Sequence, residues 1–237
     1  MAMTSFHTRL RILLAMLFLL LAWPPAQAAD AGWRLVKDKN GIKVYMRHTD
    51  ESKIKTFRGV MAFDVENPSS LIALFNDYAA MPRWAHFISS AEELGRKSPL
   101  DRSLRFTTAL PWPVSDREAL VHAVVRQDPL TYDVDITLSN APHLLPPNPD
   151  MVRFPWFRGR FDFDVLSANR VEATYEVEID PGGYIPAWMA NILAQDAPYF
   201  TLDKLRRIHQ RAEYQGKTFD YLDFPAPGSK WQRPAAR

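Results

Sequence analysis

The sequence predicts an α+β domain in which a long antiparallel sheet is followed by one C-terminal helix. Two observations lead there. Several segments between Lys53 and Ile179 alternate apolar and polar residues, the mark of strands with one face packed inward and the other in water. From about Pro186 to Arg211 the pattern changes to an apolar stripe at helical spacing, carried by Trp188, Met189, Ile192, Leu193, Phe200, Leu205 and Ile208.

Each element is justified by local chemistry. Gly32 to Asp38 reads as a short helix or a lead-in. After the Asn40-Gly41 turn, Ile42, Val44 and Met46 alternate with Lys43, Tyr45 and Arg47 as a strand. Lys53 to Asp64 alternates again, with Phe57, Gly59, Met61 and Phe63 on one side. A helix follows, with Asn67 as N-cap, Pro68 at the first helical position, and Leu71, Ile72, Leu74 and Phe75 as its buried face. Ile88 to Lys97, Ser103 to Leu110 and Ala119 to Gln127 are expected strands. So are the segments carrying Tyr132, Val134, Ile136 and Leu138, then Phe161, Phe163 and Val165, then Val171 to Ile179. Pro111-Trp112-Pro113 makes a stiff apolar loop, and the prolines of Ala141 to Asp150 forbid a strand there. Either loop can be a packed surface segment or a lid over a hydrophobic opening. Pro198 lies inside the last helix and is expected to kink it, because an interior proline costs on the order of 3 kcal/mol in a straight helix.

Residues 1–28 read as a cleavable secretory signal: Arg9 and Arg11, an apolar run from Ile12 to Leu21, the Pro24-Pro25 break, then Ala26-Gln27-Ala28. The run is short for a membrane span of about 20 residues, so export with cleavage after Ala28 and a periplasmic location are expected, with a retained membrane anchor as the alternative. The whole chain of 237 residues carries a formal charge of +2, and those two arginines account for it. No overall field then favours nucleic acid. Residues 29–212 suit one domain; 213–237 form a polar, Pro/Gly-punctuated tail whose Tyr221, Leu222, Phe224 and Trp231 suggest partial docking, with disorder as the alternative. With no Cys, neither disulfides nor thiolate chemistry contribute.

The chemistry of common enzymes is missing from the pattern. The six histidines show no metal-ligand spacing, and nine scattered glycines form neither a P-loop nor a dinucleotide fingerprint. No G-x-S-x-G elbow offers a nucleophile. No cofactor or metal is expected. Arg117 is expected to be structural, pairing with an acid where its strand begins.

Pro111-Trp112-Pro113-Val114-Ser115-Asp116-Arg117-Glu118 is a proline–aromatic–proline loop followed by an Arg-acid step into a strand. Asp180 to Trp188 forms a turn that launches the last helix; Pro198, Asp77-Tyr78 with Trp84, and Asn40 to Tyr45 fall in matching order. Together these patterns, from roughly Trp33 to Arg211, resemble START domains, the steroidogenic acute regulatory protein-related lipid-transfer family. The resemblance implies a helix-grip fold, a curved antiparallel sheet wrapped around a long C-terminal helix with an internal hydrophobic cavity. It implies a tunnel for one sterol, phospholipid, sphingolipid or other apolar molecule, gated by loops and the last helix, with transient membrane contact. The ligand contacts it suggests are Phe106, Thr108, His122 and Tyr132 from the strands, Trp112 from the loop, and Trp188, Met189, Ile192 and Phe200 from the helix.

The sequence departs from the family in its tunnel charges. Where some members carry an Arg and a carboxylate, this chain has Thr107 or Thr108 and Ala123; around the Tyr/Trp helix it has Ala79, Ala80 and Ala85 with only Arg83 nearby. A phosphocholine-specific site is therefore not expected. The leading expectation is a non-enzymatic carrier or sensor of a hydrophobic molecule. The alternatives are a polyketide cyclase/aromatase-like enzyme, for which His122 is the best acid–base candidate, and a protein-interaction module.

Overall fold

The computed structural model describes residues 32–48 and 55–234, so the expected signal segment lies outside the described residues. The chain divides into two units, Met1–Trp33 and Arg34–Arg237, and the second carries the fold. Its strands are β1 (Trp33–Lys39), β2 (Ile42–His48), β3 (Lys55–Asp64), β4 (Ile88–Ser98), β5 (Asp101–Thr108), β6 (Arg117–Gln127), β7 (Val134–Asn140), β8 (Val152–Arg153), β9 (Trp156–Ser167) and β10 (Arg170–Asp180). They form one sheet in the order β1-β2-β3-β10-β9-β7-β6-β5-β4, with β8 paired in parallel to β6. Helices α1 (Ser69–Asn76), α2 (Met81–Trp84) and α3 (Ala187–Ile208) complete it. This is the α+β helix-grip arrangement, with α3 packed on β2, β3, β10 and α2.

Alternation places one residue in two on the inner face. On β5 these are Arg102, Leu104, Phe106 and Thr108; on β10 they are Val171, Ala173, Tyr175, Val177 and Ile179. The register is continuous across strands, as in Ala173 opposite both Met61 and Phe163. The outer face is laced with ion pairs such as Arg58–Glu176 at 2.8 Å and Arg160–Asp135 at 2.7 Å. Being solvated, such pairs contribute about 0–1 kcal/mol each. Apolar burial on the inner face therefore dominates the stability.

Three local readings change. Gly32 to Asp38 is neither helix nor lead-in: Trp33–Lys39 is the edge strand β1. Helix α1 begins one residue later than expected, with Pro68 at the cap position, although the Asn67 carboxamide still accepts from the Ser69 amide at 2.8 Å. Pro198 lies within α3, which continues on both sides of it as one helix. Arg117 is fully buried, but its partners are the carbonyls of Ser115, Pro181 and Gly182 and not a carboxylate. The guanidinium thereby ties the Trp112 loop to the turn before α3.

The buried acid is its neighbour. Glu118, 1% exposed, accepts from Arg153 Nη2 at 2.6 Å and from Arg105 Nε at 3.1 Å. Arg153 also donates to the carbonyls of Pro142, Leu145 and Pro146, so one carboxylate anchors the proline-rich loop. The tail docks as well. Leu222 is buried, Trp231 packs edge-on to Tyr132 at 5.3 Å, and Arg233 pairs with Asp133 at 2.7 Å.

At Gly59 α3 packs tightly against the sheet. A Cβ there would stand 3.2 Å from Pro198 Cβ and 2.8 Å from Leu202 Cδ1. The Leu202 tip has little room to turn in a fully buried position, and the proline ring has none. Gly59→Ala is expected to destabilise by about 1–3 kcal/mol, read as a lower urea midpoint at constant m.

His209, just past α3, has no exposed surface; its Nδ1 lies 3.2 Å from Ser70 Oγ and its Nε2 has no partner. Burial pulls its pKa down to about 4. The neutral ring is the native form, so the unfolded chain binds the extra proton. The stability this contributes is complete above the ordinary histidine range and is lost as pH falls from about 6.5 to 4. Asp162 works in the opposite sense, since burial and the neighbouring Asp135 push its pKa up to about 7. The measurement is therefore a difference: the stability gap between wild type and His209→Gln should narrow as pH falls through that window, and a constant gap contradicts the assignment.

Candidate functional site

A cavity of about 170 Å³ lies between the inner sheet face and α3. The sheet supplies Leu104, Phe106, Ala119, Ala123, Ile136, Phe161, Tyr175 and Val177 to its wall. Helix α3 supplies Leu193, Ala197 and Thr201, which recur every four residues along one stripe. Phe75, Met81 and Trp84 close the side made by the short helices. Aromatic packing stiffens that side: Phe75 meets Trp84 and Phe161 at 4.8 Å each, and Phe161 stacks on Tyr175 at 4.2 Å.

The wall is almost wholly apolar. Such a wall favours an apolar guest through shape and desolvation. Most of its few polar groups are already engaged. Thr108 Oγ1 accepts from the Arg117 amide at 3.1 Å, and Thr201 Oγ1 accepts from the His86 amide at 3.0 Å. Burial lowers the pKa of His86, keeping the ring neutral. Asn76, Tyr78 and Arg102 gather at one end of the wall. Among the described residues no cluster of His, Asp and Glu could hold a metal ion.

The residues expected at the ligand divide sharply. Phe106 and Thr108 border the cavity. His122 lies on the outer face of β6, its Nε2 2.6 Å from Asp101 Oδ1, and Tyr132 sits in the turn before β7 against Trp231. Met189 is fully buried yet off the wall, as is half-buried Ile192. Phe200 faces His86 at 5.0 Å on the outside of that stripe. Trp112 and Trp188 are 89% and 50% exposed, so neither lines the cavity. Leu193, Ala197, Thr201 and Arg102 were not in the expected set. The alternation of Leu104, Phe106 and Thr108, extended two residues back, would have found Arg102.

No family model matches the chain. An uncharacterised protein of Pseudomonas aeruginosa is 30% identical over 181 residues, covering 76% of this chain and 87% of its own length. The crystal structure of a STAR-related lipid transfer protein fragment from Xanthomonas axonopodis is 27% identical, with a TM-score of 0.67 over 76% of this chain and 99% of its own. Human STARD10 has the same fold at 18% identity, with a TM-score of 0.67 over 77% of this chain and 74% of its own. With the sheet order, the α3 grip and the enclosed cavity, these similarities make the chain a member of the STAR-related lipid transfer (START) family.

Proposed function

We propose that this protein binds one hydrophobic or amphipathic small molecule in the cavity, without chemical conversion, and carries or senses it outside the cytoplasm. The observation that carries this reading is the apolar cavity enclosed between sheet and helix, on a fold shared with a protein named for lipid transfer. Each CH₂ of a guest moved from water to such a wall is worth about 0.8 kcal/mol, so shape and apolar area suffice for binding. The cyclase alternative loses its named base, because His122 does not border the cavity.

Release at a membrane fits the surface beside the cavity. Trp112 and Tyr184 are exposed on the two segments that Arg117 ties together, and Leu110 and Pro181 of the same segments border the cavity. Amphipathic aromatic rings of this kind favour the lipid–water interface. No helix among the described residues is long and apolar enough to cross a membrane.

Titration with a fluorescent lipid, competed by sterols, hopanoid-like molecules and phospholipids, tests the reading. One saturable site displaced by at least one class is expected; no binding by any class contradicts it. Export is tested separately by the intact mass of the protein from its native host. A chain beginning at Ala29 supports it, and an intact Met1 terminus in the membrane fraction opposes it.

A further inference from the structure

The cavity wall contains one guanidinium and, among the described residues, no carboxylate. Arg102 reaches it from the inner face of β5, directly opposite Ala123 in the β5–β6 register. Its side chain is only 9% exposed. Nη1 donates to Asn76 Oδ1 at 2.7 Å and to the Tyr78 hydroxyl at 2.6 Å, which fixes the plane of the group. Asn76 is held in turn, its Nδ2 donating to the Tyr221 hydroxyl at 3.2 Å. The Nε edge is left over: Nε is buried and has no hydrogen-bond partner.

The nearest acid does not fill that gap. Glu93 Oε2 stands 4.0 Å from Nε, beyond hydrogen-bond reach. Both Glu93 oxygens are taken by Arg96, at 2.8 Å each, and that pairing holds the Glu93 carboxyl below its usual range. A charged group buried beside an apolar space with an unsatisfied N–H is costly unless something else supplies the acceptor. A ligand oxygen entering along the cavity can do so once the Arg102 side chain turns this edge, which has almost no accessible surface, toward the space it borders. The Nε–Nη2 edge of a guanidinium presents two parallel N–H groups, which match the two oxygens of a carboxylate.

We propose that the cavity selects an amphiphile with a carboxylate head, received by the Nε edge of Arg102 with its apolar chain along the Phe106–Ala123 wall. Asn76 and Tyr78 are positioning residues that hold the guanidinium in place. This inference rests on the cavity being the ligand site, as proposed above.

The test compares head groups on one chain: decanoate, decanol, methyl decanoate and decyl phosphate, by isothermal titration. Wild type is expected to bind decanoate roughly tenfold or more tighter than decanol or the ester, the scale of a charge-assisted pair. In Arg102→Met the ratio of decanoate to decanol affinity should fall to about one. If that variant does not fold, decanoate labelled with ¹³C at its carboxyl reads the same contact in wild type. Its bound carboxyl should titrate well below the free acid, and an unshifted titration overturns the proposal. Equal affinity for decanoate and decanol overturns it and leaves Glu93 as the counter-ion of Arg102. Tighter binding of decyl phosphate overturns the choice of head group. If none of the four binds, the cavity is not a ligand site and the proposed function itself fails.

Discussion

Ala197→Phe is expected to weaken ligand binding by more than about 100-fold, equivalent to about 2.7 kcal/mol, with the fold intact. Ala197 is 8% exposed and borders the cavity from the middle of α3. A phenyl ring there enters space that the guest would fill, so it need not displace packed neighbours. The control is Met189→Trp, a fully buried position off the wall. In a packed site the same kind of enlargement costs about 1–3 kcal/mol or more of stability. Affinity measured beside Tm separates the two: Ala197→Phe should move the first, and Met189→Trp the second. Unchanged affinity in folded Ala197→Phe would put the ligand elsewhere.

Glu118→Ala is expected to cause the largest loss of stability, about 3–5 kcal/mol, because it leaves Arg105 and Arg153 without their shared counter-ion at a site 1% exposed. For a domain of this size that corresponds to a Tm lower by about 6–20 °C. The substitution also unties Arg153 from β6, and with it the carbonyls of Pro142, Leu145 and Pro146. Amide exchange in the Ala141–Asp150 loop should therefore rise more than exchange in β10. A loss below about 1 kcal/mol would make the buried pair no stronger than an exposed one.

Much of the fold was legible because alternation is a direct record of which strand face meets water. The segments around Ile136, Phe161 and Val177 read as strands for that reason, and all three residues border the cavity. β1 was not legible: Arg34, Lys39 and Asp38 are exposed on an edge strand, and Leu35 is 49% exposed, so no clean period of two survives.

The site was harder to read than the fold. Helical periodicity draws attention to large apolar side chains, and Trp188, Met189 and Phe200 form such a stripe. Part of the cavity is bounded instead by small side chains. Ala197 and Thr201 on α3, and Ala119 and Ala123 on β6, leave the space that larger residues would fill. Hydrophobicity alone cannot tell a stripe that packs from a stripe that stops short. Arg102 escaped for a different reason. With β5 expected to begin at Ser103, the preceding Asp101-Arg102 fell outside the strand, although the pairing of Asp101 with Val124 starts the ladder there.

Native mass spectrometry of the protein isolated from its own host tests the central claim most directly. The wild-type chain is expected to carry one small-molecule adduct in stoichiometric amount, lost on denaturation, and Ala197→Phe isolated in parallel should carry none. A wild-type chain that is bare, or an adduct that persists in folded Ala197→Phe, would contradict an internal ligand cavity.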